Sequence, residues 1–209
     1  MERIKMANLP KKIIAIIGSY RKGGISDQTV DAILEKARQR GAETKKYYLT
    51  DVPIQFCTNC RICMKDDPAK ARGKCAINDD MEKLLTEIDA ADGIILASPI
   101  NDWTVTAVMK RFLERLSVYA YWPWEQPFPK LRIKVKNKKA VIVTSSACPA
   151  ILGRFFMPNA QQVLKAVAEC VGARVIKSLY FGAVCLEEKQ RLNNRQLAAA
   201  YRASEMLVK

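Results

Sequence analysis

The sequence predicts an α/β fold in which a mostly parallel sheet is covered by helices on both faces. Short apolar runs rich in β-branched residues recur along the chain, and segments with helical periodicity separate them. Strands buried on both faces form such continuous apolar runs. The 209 residues are 49% hydrophobic, which is enough for a sizeable core. We therefore expect one domain spanning residues 1–209, without internal repeats.

The expected elements alternate along the chain. The first strand, residues 13–18, precedes a helix with Ser26 as its N-cap and Gly41 as its stop. The other strands are expected at residues 44–52, 93–99, 140–146 and 174–181, and the other helices at residues 78–93, 105–116, 158–171 and 188–209.

Three loops of this alternation are candidates for a binding site. In an open α/β sheet, ligands bind beyond the carboxyl ends of the strands, where the strand order reverses, so the loops after strands one, three and four converge. Here those loops are SYRKGGIS, ASPINDWTVTA and TSSACPAILG, all rich in small and hydroxyl residues. This layout predicts a flavodoxin-like, doubly wound sheet of five parallel strands in the order 2-1-3-4-5.

The first of these loops has the features of a phosphate site. It leads into a helix N-terminus, whose free N–H groups and dipole favour an anion. Ser19, Arg21 and Ser26 add hydroxyl and guanidinium donors. The loop matches neither the P-loop pattern nor G-x-G-x-x-G. A tight strand-to-helix turn without a ligand is the alternative.

Composition restricts the chemistry and the location. Without histidine, the chain has no Ser-His or Cys-His hydrolytic pair and no histidine-bearing zinc site. The net charge of +14 would suit an anionic partner, but solvated lysines and arginines at helix ends and before a strand are the favoured explanation. No apolar run resembles a membrane span or a signal peptide, so we expect a cytoplasmic protein with reduced thiols.

Four of the seven cysteines fall within one segment, at Cys57, Cys60, Cys63 and Cys75. The C-x2-C-x2-C spacing of the first three is more typical of a [4Fe–4S] cluster than of zinc, whose cysteines usually come as separated pairs. A cluster, a zinc ion, or a loop of reactive thiols without metal all remain open. Cys170 and Cys185 are expected to be small buried residues.

The segment 119–137 interrupts the alternation of strands and helices. Its three prolines exclude a regular helix. Trp122, Trp124 and Phe128 are the types of residue that cap flat ligands or anchor interfaces. We expect either a lid or partner surface, or a long loop that folds its aromatic side chains onto the core.

Three motifs together resemble the NADPH-dependent FMN reductase and iron-sulfur flavoprotein group of the flavodoxin-like superfamily. GSYRKGGIS is similar to that group's phosphate loop, G-S-P-R-K-x-G-N-T. CTNCRICM…GKCAINDDM is similar to its C-x2-C-x2-C…C-x3-D-D-M stretch, and ADGIILASPINDWTVTAVMKRFLER to its A-D-G-I-I-x-x-S-P-V-Y…S-A-x-x-K-x-F-x-D-R segment. The resemblance covers nearly the whole chain.

The resemblance implies an FMN-dependent oxidoreductase that uses NAD(P)H and reduces a small acceptor or a redox protein. It also implies a homodimer or homotetramer and a possible [4Fe–4S] cluster bound by the four clustered cysteines. The implied FMN-binding residues are Ser19, Arg21, Lys22, Gly23, Gly24, Ile25 and Ser26 in the phosphate loop, Pro99, Ile100, Asn101, Asp102 and Trp103 at the isoalloxazine ring, and Ser145, Ser146, Ala147 and Cys148 in the third loop. No side chain is expected to act as a general acid or base, and no nucleic-acid or membrane partner is expected. The alternative is a basic binding module for nucleic acid with a cysteine-bound zinc and no redox activity.

Overall fold

The fold was analysed in a computed structural model that describes residues 10–209. The strands are β1 Lys12–Ile17, β2 Glu43–Tyr48, β3 Gly93–Asn101, β4 Thr104–Val105, β5 Ala120–Tyr121, β6 Lys130–Leu131, β7 Lys138–Ser145 and β8 Ala173–Phe181. The helices are α1 Ile25–Arg38, α2 Ile62–Lys65, α3 Met81–Ala90, α4 Ala107–Arg115, α5 Ala150–Phe156, α6 Asn159–Cys170 and α7 Asn194–Val208. The first nine residues of the predicted domain lie outside the described range, and the extent of the domain stays a prediction.

The central sheet is mostly parallel, as predicted. Its order is β2-β1-β3-β7-β8, and every pairing along this path is parallel. The short strand β4 pairs antiparallel with the end of β3, so the sheet has six strands and not the five predicted. The predicted order 2-1-3-4-5 missed β4 because a two-residue strand has no periodicity that a sequence could show.

Helices cover both faces of the sheet, which confirms the predicted α/β class. Alternate residues of β1 point to opposite sides, so that Ile14 and Ile16 join one core while Ile13 and Ile17 join the other. The first core is completed by α3, α4 and α6, and the second by α1 and α7. Burying the apolar strands on both sides is the main source of their stability.

Several element boundaries differ from the prediction. Val105 was expected in a helix but lies in β4, because α4 begins only after its cap, Thr106. The last helix begins at Asn194, because Asn193 and Gln196 form a capping box there. The short elements α2, α5, β5 and β6 were not predicted. Within residues 10–209, no helix is long and apolar enough to cross a membrane.

Candidate functional site

The phosphate loop connects β1 to α1 in a closed turn. Ser19 is buried, and its Oγ accepts from the Arg21 N–H and donates to the Arg21 carbonyl, both at 3.2 Å. Gly24 is the N-cap of α1. The backbone amides of the first helical turn, which have no partner within the helix, follow it directly. The predicted cap, Ser26, is therefore wrong: it is the second helical residue, and its hydroxyl is free for another contact.

Asp27 holds the backbone of this loop by a hydrogen bond. Its carboxylate is buried and accepts the Gly23 N–H at 2.6 Å, where Gly23 has a φ of 77°. A carboxylate so close to an anion site would repel a phosphate if it were uncompensated. Lys46 lies 2.6 Å from Asp27, and the Tyr48 hydroxyl donates to it at 3.0 Å. Burial opposes the charge on Lys46, but hydrogen bonds to two carboxylates outweigh this effect and raise its pKa, so a positive charge stays beside the Asp27 carboxylate.

Two buried hydroxyls join the first loop to the loop after β7. The Oγ atoms of Ser26 and Ser145 are 2.8 Å apart. Next to them, the Ser146 hydroxyl lies 2.7 Å from the Tyr180 hydroxyl. Residues 119 positions apart in the sequence thus line one surface, as the convergence of loops at the carboxyl ends of the strands predicts.

The loop expected after β3 is a β-hairpin. Asp102 and Trp103 form its turn between β3 and β4, with φ angles of 45° and 67°. Paired positive φ values are typical of a two-residue hairpin turn. Thr106 then ties the hairpin to the phosphate loop, because its hydroxyl donates to the Gly18 carbonyl at 2.5 Å. The Tyr20 hydroxyl accepts the Val108 N–H at 3.2 Å and strengthens the same connection.

The three loops enclose a cleft of about 300 Å³. Most of the predicted residues line it: Ser19, Arg21, Gly24, Ile25, Ser26, Pro99, Ile100, Asn101, Ser145, Ser146 and Ala147. Five predicted residues do not: Lys22, Gly23, Asp102, Trp103 and Cys148. The cleft also contains Tyr20, Val184 and Cys185, which the sequence analysis missed. Cys185 is exposed, so its predicted burial is wrong.

The residues of this cleft fit a flavin mononucleotide. Arg21 has no carboxylate partner among residues 10–209, and the first-turn amides of α1 point toward the same end. These donors suit a phosphate ester. The rest of the cleft is lined by Pro99, Ile100 and Asn101 on one side and by Ser145 and Ser146 on the other, which suits a flat ring with apolar and polar edges.

Of the four clustered cysteines, Cys63 lies on α2 and is only 8% exposed, and the other three are its neighbours. Burial first, and then the neighbouring thiols of Cys75, Cys57 and Cys60, raise the pKa of Cys63 to about 11. Hydrogen-bond donors approach the other sulfur atoms. The Asn59 N–H donates to Cys57 Sγ at 3.4 Å. A backbone hydrogen bond from Ile62 lowers the pKa of Cys60.

Four thiols with N–H groups directed at their sulfur atoms have the chemistry of an iron-sulfur site. Their arrangement is not that of a closed metal site, because residues 10–209 contain no group of three or more His, Cys, Asp or Glu side chains positioned to hold a metal ion. The segment is irregular, and Asn59 and Arg61 both have positive φ angles.

A buried ion pair stands beside Cys75. Arg115, at the end of α4, is 1% exposed, and it makes a bidentate contact with Asp79, which is 5% exposed, at 2.6 and 3.0 Å. The second guanidinium nitrogen also donates to Cys75 Sγ at 3.5 Å. Burial would raise the pKa of Asp79, but the bonds from Arg115 and from the Gln55 and Met81 amides lower it. The helix that begins at the flavin cleft therefore ends at the cysteine segment.

The segment 119–137 packs on the cysteines and forms what we call the clasp. Its Arg132 donates to the carbonyls of Cys63 at 3.2 Å, Asp66 at 3.0 Å and Asp67 at 2.5 Å. Gly73 also lies against the Cys63 carbonyl, so closely that an added Cβ would overlap it. The backbone around Cys63 is thus held from two sides.

Aromatic residues of the clasp also contact the cysteine segment at Arg61, between Cys60 and Cys63. The Arg61 guanidinium lies 4.0 Å from the Trp122 ring and 4.1 Å from the Trp124 ring, and it donates to the Trp122 carbonyl at 2.9 Å. Such cation–π contacts contribute about 0.5–2 kcal/mol each. Neither expected role of this segment, a lid or partner surface or a loop folded onto the core, included its contact with the cysteines. Phe128 remains exposed.

The sheet order and the cleft at its carboxyl edge define a doubly wound α/β fold with one binding site between three loops, and sequence comparison identifies the family. Residues 11–185 match the NADPH-dependent FMN reductase family, to which the chain belongs. The resemblance inferred from the motifs is thereby confirmed.

Similar curated proteins are iron-sulfur flavoproteins. One from Archaeoglobus fulgidus is 36% identical over 112 residues, which is 54% of this chain and 48% of the relative. One from Methanosarcina thermophila is 35% identical over 104 residues, covering 50% of this chain and 51% of the relative. The chain spans about half the length of the curated relatives it matches.

Solved structures share the fold at low sequence identity. An FMN-dependent NADH-azoreductase from Bacillus anthracis, in complex with FMN, has a TM-score of 0.70 at 9% identity and covers 95% of this chain and 100% of its own. An NAD(P)H:quinone oxidoreductase from Methanothermobacter marburgensis has a TM-score of 0.68 at 13% identity, covering 93% and 98% of the two chains.

Proposed function

We propose that the protein is an FMN-dependent oxidoreductase that takes electrons from NAD(P)H and passes them to a small acceptor such as a quinone or a free flavin. The observation that carries this proposal is the convergence of three loops on one cleft, fixed by the Ser26–Ser145 contact, with Arg21 at its phosphate end. Membership in the NADPH-dependent FMN reductase family supports the same activity.

The chain's own residues would bind and orient the cofactor. Arg21 and the first-turn amides of α1 hold the phosphate, and Ser19 keeps the loop in the conformation that exposes them. Pro99 to Asn101 border the ring on one side, and Ser145 to Ala147 on the other. Bound FMN supplies the redox chemistry, since it accepts hydride and releases electrons singly or in pairs. Lys22, Gly23, Asp102, Trp103 and Cys148 flank this site.

A second function, electron transfer through an iron-sulfur cluster, is favoured by the sulfur environment. Cys57, Cys60, Cys63 and Cys75 would hold a [4Fe–4S] cluster, with the Asn59 N–H and Arg115 as hydrogen-bond donors to sulfur. Curated relatives are named iron-sulfur flavoproteins. The clasp fixes the backbone around Cys63, whereas the segment holding Cys57 and Cys60 is irregular enough to adjust around a cluster.

The first test is an absorbance spectrum of anaerobically purified protein, with iron and acid-labile sulfide assayed on the same sample. Flavin bands with a broad shoulder that bleaches on reduction, and about four irons per chain, would support both functions. Flavin bands without iron would support the reductase alone. A colourless protein that binds DNA with a steep salt dependence would instead support a basic binding module.

Assembly and location complete the proposal. We infer a homodimer or homotetramer in the cytoplasm, with a small molecule or a redox protein as electron acceptor. Exposed apolar side chains on α5, including Ile151 and Phe155, are available for a contact between subunits. A monomeric mass by light scattering of the flavin-loaded protein would contradict the oligomer.

A further inference from the structure

A second cavity adjoins the flavin cleft at its phosphate end. It has a volume of about 700 Å³ and is lined by residues 21–25, 28, 184 and 187–191. It shares Arg21, Gly24, Ile25 and Val184 with the flavin cleft. Neither of the ring-binding loops contributes to it. The cavity therefore continues from the phosphate loop, away from the ring.

Hydrogen bonds from Gln28 build the far wall of this cavity. The Gln28 amide donates to the carbonyls of Gly23 at 2.7 Å and Gln190 at 2.9 Å, and it accepts the Leu192 N–H at 3.1 Å. The Gln190 side chain in turn donates to the Ala183 carbonyl at 3.1 Å. The irregular segment 183–192 is thus held against the first turn of α1, and the cavity has two fixed sides.

The charged groups of the lining suit a nucleotide. Among residues 10–209, Arg21, Lys189 and Arg191 form no ion pair with a carboxylate, whereas Lys22 is paired with Asp51 at 2.7 Å. Unpaired guanidinium and ammonium groups are the usual partners of phosphates. Glu187 and Glu188 also line the cavity. Carboxylates would oppose a bare polyphosphate, but they bind the ribose hydroxyls of dinucleotides.

We propose that this cavity binds the adenosine diphosphate moiety of a dinucleotide. Its volume lies within the usual range for small-molecule sites, roughly 300–1,000 Å³. Two dinucleotides carry this moiety: FAD, which would continue from the flavin phosphate, and NAD(P)H, which would extend from the nicotinamide. The choice between them rests on the proposed flavin function, whereas binding of the ADP moiety can be measured without it.

The test is calorimetric titration of ADP into FMN-loaded protein. We expect one ADP per chain, and an affinity at least about tenfold lower in the double variant Lys189→Ala/Arg191→Ala, which loses two charge-assisted contacts. The matched control is Arg174→Ala/Lys177→Ala, which removes two exposed cations from β8 and should leave the affinity unchanged. The FMN content of all three proteins should be equal.

Several results would overturn the proposal. One is that ADP does not bind the FMN-loaded protein. Another is that ADP binds only after FMN is removed, which would place it in the phosphate loop. Equal ADP affinity in the wild type and the double variant would also refute the site. If the chain does not bind FMN, the proposed function fails, and the same titrations on the unloaded chain still test the cavity.

Two further measurements identify the source of the moiety. If FAD occupies the cavity, FMN-stripped protein binds FAD more tightly than FMN, and the double variant loses this preference. If NAD(P)H occupies it, FAD has no advantage, and the double variant instead raises the KM for NAD(P)H in quinone reduction. ADP binding with neither of these effects would contradict a dinucleotide site.

Discussion

At the scale of single residues, Arg21 provides the clearest test of the flavin site. Arg21→Ala removes the guanidinium at the phosphate end of the cleft while leaving the fold intact, because this guanidinium forms no hydrogen bond or ion pair with residues 10–209. We expect FMN to bind at least about tenfold more weakly, which corresponds to the loss of one charge-assisted hydrogen bond. Flavin fluorescence during titration of the stripped protein measures this. Arg174→Ala, at the opposite end of the sheet, is the control, and equal FMN affinity in both variants would remove Arg21 from the site.

The ionisation of Asp79 is expected to make the stability of the fold depend on pH. Asp79→Ala leaves Arg115 buried without a counter-charge, so we expect a loss of about 3–5 kcal/mol of unfolding free energy at pH 7. Because the folded-state pKa of Asp79 lies below its ordinary value of 3.8, its contribution is complete above that value and is lost as the pH falls through the folded-state pKa. The difference between wild type and variant should therefore shrink below about pH 4.

Urea unfolding from pH 7 to pH 3 measures this difference. Asp80→Ala is the control: among the described residues that side chain pairs only with Lys83, at the surface, so its loss should change stability by less than about 1 kcal/mol. A gap between wild type and Asp79→Ala that stays constant down to pH 3 would show that the ionised form of Asp79 is not the stabilising one.

Residue types and local spacing were sufficient to predict that the loops after β1, β3 and β7 converge on one cleft. Ser26 and Ser145 were both predicted from hydroxyl-rich loops at strand ends. The ion pair of Asp27 and Lys46 beneath the phosphate loop was not predictable in this way. Asp27 is a normal first-turn residue of a helix, and nothing local indicates that Lys46, from the next strand, reaches it. The pairing depends on the parallel register of β1 and β2, which the sequence does not state.

At the scale of elements, the clasp is expected to protect the cysteine segment. Arg132→Ala removes the bonds that hold the carbonyls of Cys63 and of the residues just after it. Because Cys63 is nearly buried, we expect its alkylation by iodoacetamide to become at least several times faster, with little change in the melting temperature. Mass spectrometry of the labelled peptides measures this rate for each cysteine.

Two controls make that experiment specific to the clasp. Lys134→Ala removes a nearby exposed cation and should leave the labelling of Cys63 unchanged. Cys170 lies at the end of α6 and is half-buried rather than fully buried as predicted, and it should keep its wild-type rate in both variants. If Cys170 labels faster as well, the substitution has loosened the whole fold, and the clasp has no separate role.

The long elements were predictable and the short ones were not, for a physical reason. Strands such as β1 and β7 have continuous apolar centres because both of their faces are buried there, and the helices α1 and α3 have a regular apolar face. The elements β4, β5 and β6 have two residues each, which is too few to show a period. Their formation depends on tertiary contacts, such as the antiparallel pairing of Ala120 in β5 with Leu131 in β6.

At the scale of the whole molecule, the proposed site lies at the carboxyl edge of the sheet and is built from loops after three different strands. A ligand that joins these loops binds only the folded chain, so it should stabilise the entire domain. At a free FMN concentration of 100 times the Kd, the expected gain is about 2.7 kcal/mol. For a protein of this size, that corresponds to a rise in the melting temperature of about 5–10 °C.

Riboflavin is the matched ligand for this measurement because it has the same ring without the phosphate. In differential scanning fluorimetry of stripped protein at equal ligand concentrations, FMN should raise the Tm well above the value with riboflavin. Arg21→Ala should bring the two shifts close together, since the variant lacks the cation that distinguishes the ligands. Equal shifts in the wild type would mean that the loop after β1 does not bind the phosphate. No shift with either ligand would mean that the convergence of the three loops does not form a flavin site.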